Sequence, residues 1–364
     1  MNVMTGARNC LGALQHFGYC LCMQQFGENL GRLDRPLIFG PLSLPGRAFL
    51  APMSGVTDLG MRRVAARFGA GLVVSEMVAA NFYIAADEET RLRAEGEGLP
   101  IHVVQIAGRE PASLADAARL AEASGAHAID INMGCPARRV VGGYAGSALM
   151  REPELAVALA RAAIAAVRVP VSVKMRLGWD ADSVNAPELA RRLEEEGVAL
   201  ITVHGRTRSQ FYKGRADWAA IRAVREAISI PLVANGDCAG PDDARAMLTA
   251  AGADAVMVGR AAIGQPWLVG RIAAELAGAA ALEPADAAKV DAALEHYATL
   301  LSTFGVEQGV RHARKHLAAY ADRAAETGGG LPATLRARLV TTDDPDEAAG
   351  LLARCFARAP DMAA

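Results

Sequence analysis

The sequence predicts an α/β protein: a (β/α)8 TIM barrel followed by a small, all-helical C-terminal domain. Three observations carry this prediction. Eight short runs rich in Val, Ile and Leu alternate with longer alanine-rich, helix-like segments from about Arg47 to Val258. Polar residues gather at or just beyond the ends of those runs, where the mouth of a closed barrel would be. After about Pro284 the apolar runs stop and only helical periodicity remains.

The candidate strands are Ala48 to Ala51, Leu72 to Ser75, Ile101 to Ile106, Ala128 to Asn132, Val171 to Met175, Leu200 to His204, Leu232 to Asn235 and Ala255 to Val258. Between them, helices are expected at Leu114 to Ser124, Glu154 to Val167, Glu188 to Glu196, Trp218 to Ile228 and Asp242 to Ala251. Gly125, Gly197 and Gly252 follow three of these, as helix-ending glycines do. An open doubly wound sheet would alternate in the same way. Met53, Gln105, Asn132, Lys174, His204, Asn235 and Arg260 favour the barrel, because all lie near strand ends and barrel strand ends surround one mouth. Residues 36–283 are assigned to this barrel.

Residues 1–35 contain five glycines and no sustained periodicity, so an extension outside the main fold is expected, and translation could start later, for example at Met23. Residues 284–364 are expected to form the helical domain, with helices at Val290 to Phe304, Val306 to Ala324 and Glu347 to Ala357, interrupted by Gly328, Gly329 and Gly330.

Composition excludes several classes. With 52% hydrophobic and 21% charged residues among 364, the chain is not intrinsically disordered. A net charge of −2 gives no global field for a polyanion, so any nucleic-acid contact must come from a local patch. The six cysteines show no C-x-x-C pair, which argues against a disulfide framework or structural zinc; no metal is expected. No stretch approaches a membrane span and no signal peptide is evident, so a cytoplasmic protein without membrane attachment or an obligate protein partner is expected. The glycine signatures of Rossmann sites and P-loops are missing, as is H-E-x-x-H. A phosphate-bearing cofactor seated in a barrel remains open.

Six segments could carry chemistry. Asn132-Met-Gly-Cys135-Pro136 follows the fourth strand; its thiol could serve as acid or nucleophile, or be a small apolar residue held by Pro136. Asn132 could bond a substrate edge or cap the loop. Lys174 ends the fifth strand, and only four lysines stand in the whole chain. Pointing inward, it would need an anion or polar ligand; pointing outward, it would snorkel between helices. After the sixth strand, His204 to Trp218 interleaves Arg206, Arg208, Lys213 and Arg215 with Phe211, Tyr212 and Trp218, which suits phosphates and stacked bases, or else a solvated rim loop. Asn235-Gly236-Asp237 and Gly259-Arg260 follow strands seven and eight, where barrels often bind phosphate. In the helical domain, Arg311, Arg314 and Lys315 share one helix face, although acidic residues outnumber basic ones from residue 285 onward.

Ala51-Pro-Met-Ser-Gly-Val-Thr-Asp58, Asn132-Met-Gly-Cys-Pro136, Val173-Lys-Met-Arg176, His204-Gly-Arg-Thr-Arg208 with Gly214-Arg-Ala-Asp-Trp218, Asn235-Gly-Asp237 and Gly259-Arg-Ala261 together resemble the tRNA-dihydrouridine synthases. Ala313-Arg-Lys-His-Leu-Ala-Ala-Tyr320 extends the resemblance into the helical domain, and the chain looks most like the bacterial DusB-like branch. The resemblance implies an FMN enzyme in which NADPH reduces the flavin, hydride passes to C6 of a tRNA uracil and Cys135 protonates C5. The target base must then leave its stack. The resemblance further implies that Pro52, Met53, Gln105, Lys174 and His204 hold the flavin. It assigns Asn235, Gly236, Asp237, Gly259 and Arg260 to its phosphate. Asn132 and Arg206 are candidates for the uracil, with Arg208, Arg311, Arg314 and Lys315 for the rest of the tRNA.

Two other readings are weighed. A flavin barrel acting on a free pyrimidine or dihydroorotate would use the same groups, but the appended helices and the arginine-aromatic loop argue for a large substrate. A non-catalytic RNA-binding protein would have no need of an intact acid, flavin lysine and phosphate glycines.

Overall fold

A computed structural model describes residues 33–143 and 145–356. The extension expected at 1–35, with Cys10, Cys20, Cys22 and Met23, lies almost wholly outside the described residues. Eight parallel strands close into a barrel: β1 (Ala48–Leu50), β2 (Leu72–Ala79), β3 (Val103–Ala107), β4 (Ala128–Met133), β5 (Val171–Arg176), β6 (Leu200–His204), β7 (Leu232–Asn235) and β8 (Ala255–Val258). β8 returns beside β1, with Val256 opposite Ala48, so no strand edge remains open.

A short hairpin, Leu37–Phe39 paired with Leu42–Leu44, plugs the N-terminal end of the barrel. Its Leu37, Phe39 and Leu44 pack with Phe49, Val74, Val103, Val233 and Met257 in one buried cluster, sealing that end with apolar side chains. A larger cluster between the strands and the surrounding helices holds the outer faces of the strands, which explains their near-continuous Val, Ile and Leu content. The open end of the barrel is therefore the opposite, C-terminal one.

The barrel helices expected from the sequence appear with small shifts, and others appear that carried no expectation. α1 (Leu59–Arg67), α2 (Ala80–Ile84) and α3 (Glu88–Ala94) precede α4 (Pro111–Ala123). A short α5 (Arg138–Gly142) and a 3-10 turn (Gly146–Arg151) lead into α6 (Pro153–Ala166) and then α7 (Ala186–Glu195). The segment read as one helix from Trp218 to Ile228 is a 3-10 turn followed by α8 (Arg222–Ala227). α9 (Pro241–Ala251) and α10 (Leu268–Leu276) complete the barrel.

Four helices follow: α11 (Asp286–Phe304), α12 (Val306–Glu326), α13 (Ala333–Leu339) and α14 (Pro345–Arg354). Their core includes Val64 of α1 and Trp267 before α10, so the helical region and the barrel share packed apolar surface. Trp267 stacks against Tyr320 at 6.2 Å between ring centroids. Among the described residues no helix is long and apolar enough to cross a membrane.

Candidate active site

The C-terminal ends of the strands surround a cavity of about 840 Å³, a size suited to a cofactor together with part of a substrate. Pro52, Met53, Gln105, Asn132, Cys135, Lys174, His204, Arg206, Asn235, Gly236, Asp237, Gly259 and Arg260 all line it. Arg208, Arg311, Arg314 and Lys315 do not.

Strand parity explains the polar lining. Asp130 and Asn132 on β4 stand opposite Ser172 and Lys174 on β5, and alternate residues of a strand share a face. The carboxylate of Asp130 accepts from Gln105 Nε2 at 2.6 Å and from Ser172 Oγ at 2.6 Å. Burial raises its pKa against these hydrogen bonds. Gln105 Oε1 in turn accepts from Asn132 Nδ2 at 2.8 Å. Asn132 Oδ1 accepts the backbone N–H of Cys135 at 2.9 Å, so the loop carrying the thiol is tied to the barrel floor. Arg176, buried beside it, donates to Gly134 O at 2.8 Å and to the carbonyls of Thr207 and Phe211, each at 2.9 Å. It thereby joins the cysteine loop to the loop after β6.

Lys174 points inward and shares the cavity with Cys135. Its ammonium donates to Asn235 Oδ1 at 2.9 Å, and Asn235 Nδ2 donates to Met257 O at 2.8 Å. Burial, then the nearby Arg176 charge, lowers the lysine to about 8, so an arriving anion would be stabilised and would stabilise the ammonium in return. The outward, snorkelling alternative is excluded by this placement.

His204 is driven far down, first by burial and then by Lys174, Arg176, Arg206 and Arg260, so its imidazole is neutral. Arg206 can only donate, and its Nη1 lies 3.1 Å from His204 Nε2. The histidine therefore carries its proton on Nδ1 and can offer that N–H to an acceptor. Arg206 is itself buried, with Asp237 at 2.5 Å and the carbonyls of Lys213 and Gly214 as further partners. Asp237 also accepts from Ala216 N and Arg260 Nη2. Burial raises the Asp237 pKa, but these donors outweigh it and the carboxyl is held low.

Gly236 has φ +121°, and a Cβ there would lie 2.6 Å from Ala216 Cβ and 3.0 Å from His204 Cδ2. Only glycine lets the loop after β7 approach so closely. This cationic end near Arg260, the apolar wall of Met53 and Met77 and the polar edge of Gln105 and Lys174 together fit a flavin nucleotide: one charged tail, one flat apolar body and one hydrogen-bonding rim.

The tRNA candidates outside the cavity are less uniform. Arg311 pairs with Glu307 at 2.9 Å and Arg314 with Asp343 at 2.7 Å, so two members of the expected strip already have acidic partners. Lys315 approaches Gly55 in the loop after β1, at the cavity rim; a Cβ on that glycine would be 3.6 Å from its Nζ.

Sequence reasoning passed over one buried cluster. Asp58 caps α1 by accepting from Met61 N at 3.1 Å, and both its oxygens lie 3.1 Å from His296 Nε2 on α11. His316 Nε2 on α12 is 3.2 Å away, off the axis of a good hydrogen bond. A carboxylate can only accept, so His296 Nε2 bears a proton and its Nδ1, 3.0 Å from Tyr320 OH, accepts from that hydroxyl. Thr57, next to Asp58, accepts from Met53 N at 2.8 Å. The helical region is thus locked to the loop that forms one cavity wall. Asp58 and His316 both lie in segments the sequence singled out, but no local signal pairs residues so far apart.

The profile of the Dihydrouridine synthase (Dus) family matches residues 49–359. A probable tRNA-dihydrouridine synthase of Rhizobium leguminosarum bv. phaseoli is 52% identical over 311 residues, covering 85% of this chain and 95% of that one. One from Rhodobacter capsulatus is 50% identical, covering 89% and 96%. The tRNA-dihydrouridine synthase B of Xanthomonas axonopodis pv. citri is 48% identical, covering 78% and 86%. Among solved structures, histamine dehydrogenase from Rhizobium sp. 4-9 shares the barrel fold at 15% identity with a TM-score of 0.51, over 69% of this chain and 49% of its own. A 2-naphthoyl-CoA reductase does so at 15% identity with a TM-score of 0.52, over 67% of this chain and 52% of its own. From its motifs, its barrel and these relatives, the chain belongs to the dihydrouridine synthase family.

Proposed function

We propose that the protein is a flavin-dependent oxidoreductase that reduces the C5=C6 bond of a specific uridine in tRNA to 5,6-dihydrouridine, with FMN as cofactor and NADPH as reductant. The observation that carries the reading is that Cys135 and Lys174 open into one cavity whose far end holds Gly236, Gly259 and Arg260. When bound, FMN recharged by NADPH supplies the hydride that reaches uracil C6.

The protein's own groups do the rest. Lys174 and Gln105 hold the polar edge of the flavin, Met53 and the Pro52 backbone face its body, and His204 offers its Nδ1–H. Asn235 orients Lys174, while Gly236, Asp237, Gly259 and Arg260 form the phosphate end. Cys135 would deliver the proton to C5 from its Sγ. Asn132 positions the cysteine loop, and its one uncommitted N–H remains for a uracil carbonyl. Arg206 has a spare Nη1–H for the same purpose. Residues 36–283 act as the catalytic domain and 284–364 as the tRNA-recognition domain, with Arg208, Arg311, Arg314 and Lys315 toward the RNA, in the cytoplasm where tRNA is found. Mapping dihydrouridine in tRNA from a strain lacking the gene tests the reading: loss of the base at a defined position is expected, and an unchanged map overturns it.

A further inference from the structure

The net charge of −2 conceals an uneven distribution of unpaired cations. On the outer ring, Arg161, Arg191, Arg192 and Arg245 each sit within 2.8 Å of a carboxylate oxygen. At the mouth, Arg138, Arg139, Arg151 and Arg208 have no ion-pair partner among the described residues.

Two of these cations are built into a stacked unit. The guanidinium of Arg151 lies 3.9 Å from the centroid of Trp179, and that of Arg208 lies 4.4 Å from the same indole. Arg208 also lies 5.1 Å from the Phe211 ring. The three elements involved follow β4, β5 and β6, so the unit stands on the cavity's own rim, and Phe211 is part of both. The backbone fixes it: Arg208 N donates to Gly178 O at 2.9 Å and Ser209 N to Trp179 O at 2.8 Å. Phe211 is held at φ +53°, a left-handed conformation costly for an aromatic residue, with its carbonyl bound by Arg176.

Gathering two like charges on one ring is unfavourable unless an anion is expected between or beside them. Nε of Arg208 is buried without a hydrogen-bond partner, so its guanidinium is not satisfied by the protein. A base turned into the cavity stays tethered to its own backbone, and the adjoining phosphates must therefore lie along the rim. Planar guanidinium groups recognise phosphate oxygens by paired N–H donors while stacking on aromatic faces.

We propose that Arg151 and Arg208, stacked on Trp179, form a phosphodiester clamp for the RNA strand on one side of the uridine entering the cavity. The clamp rests on the tRNA reading given above and assigns Arg151 and Trp179 a role in it. Arg208 alone is a half-buried cation of a rim loop; with Arg151 it becomes a two-cation site.

The test uses flavin-loaded enzyme and an unmodified tRNA transcript, with dissociation constants measured over a range of salt concentrations. Arg151→Gln is expected to weaken binding about tenfold at low salt and to reduce the slope of log affinity against log salt by about 0.7–0.9, the loss of one phosphate contact. Trp179→Leu should weaken binding at least as much, whereas Trp179→Phe, which keeps an aromatic face, should recover most of it. Arg168, exposed at the opposite end of the barrel and without an ion-pair partner among the described residues, is the control: Arg168→Gln removes the same charge and should leave affinity within twofold of wild type. Flavin content should not change in any variant. Equal affinity and slope in Arg151→Gln and Arg168→Gln would overturn the clamp while leaving the tRNA reading intact. Loss of flavin instead of tRNA affinity would assign the two arginines to a cofactor phosphate and also overturn it. Wild-type enzyme that does not bind the transcript would remove both the clamp and the reading beneath it.

Discussion

Replacing Asp58 by alanine should separate the helical region from the barrel and loosen the cavity wall in one step. The carboxylate serves three donors at once: Met61 N at 3.1 Å, His296 Nε2 at 3.1 Å and, off axis, His316 Nε2 at 3.2 Å. Loss of the helix cap costs about 1 kcal/mol. Stranding the buried His296 donor adds about 1–3 kcal/mol, and the poorly aligned His316 contact adds less. The expected sum is about 2–5 kcal/mol, overlapping the roughly 3–5 kcal/mol typical of breaking a buried charged contact from one side. For a chain of this size that lowers the melting temperature by roughly 4–20 °C. Asp58→Asn keeps the cap acceptor and one acceptor for His296, and should lose less than half as much. Thermal unfolding by circular dichroism at pH 7.5 measures the difference, with proteolysis between α10 and α11 as a second readout. An alanine variant within about 1 kcal/mol of wild type would refute the interlock. The pH dependence has a defined sign. Burial raises the Asp58 pKa, but the two imidazoles outweigh it and hold the carboxyl well below 3.8, so its contribution is present above that value and lost as pH falls through the lower one. Burial and His296 lower His316 to about 4, so between 6.5 and 4 the unfolded chain takes a proton that the folded one refuses. Both effects weaken the interlock on acidification.

Cys135→Ala should retain flavin and its reduction by NADPH yet lose most dihydrouridine formation; full activity would remove the proton-donor assignment. In apo-protein, FMN affinity should fall by up to about tenfold per pH unit above about 8, where Lys174 loses its charge, and Lys174→Met should abolish that slope. A pH-independent wild-type affinity would count against the ammonium as a flavin contact. Gly236→Ala, with its Cβ forced against Ala216 and His204, should lower FMN affinity and cost about 1–3 kcal/mol of stability; unchanged binding would remove the loop from the phosphate end.

The barrel was legible because strands buried on both faces are continuous apolar runs, and all eight appeared within a few residues of their places. β2 was expected to end at Ser75 but continues to Ala79. Here Glu76 stays within the strand, buried, accepting the Gly55 N–H, with its pKa raised chiefly by burial. α13 was hidden behind Gly328 to Gly330, and α2 and α3 are too short for a helical period to show. The orientation of Lys174 was readable in principle: Ser172, Lys174 and Arg176 place polar side chains at every second position of β5, and Asp130 and Asn132 do the same on β4. What could not be read is the pairing of groups far apart in the chain. Asp130 acquires its role from Gln105 and Ser172, Arg176 from carbonyls on two other loops, and Asp58 from histidines 238 and 258 residues away. The basic strip on α12 shows the converse, since helical spacing did place its residues together but could not foresee that Glu307 and Asp343 would neutralise two of them.

The most direct measurement of the central claim is a single-turnover experiment. Enzyme-bound flavin is reduced with a limiting amount of NADPH without oxygen, mixed with substrate, and followed by the return of oxidised-flavin absorbance. Unmodified tRNA transcript should reoxidise the flavin and gain one dihydrouridine per flavin, while free uridine and orotate should leave it reduced. Reoxidation by orotate or free uridine at a rate matching that of the transcript, or a transcript that leaves the flavin reduced, would contradict it.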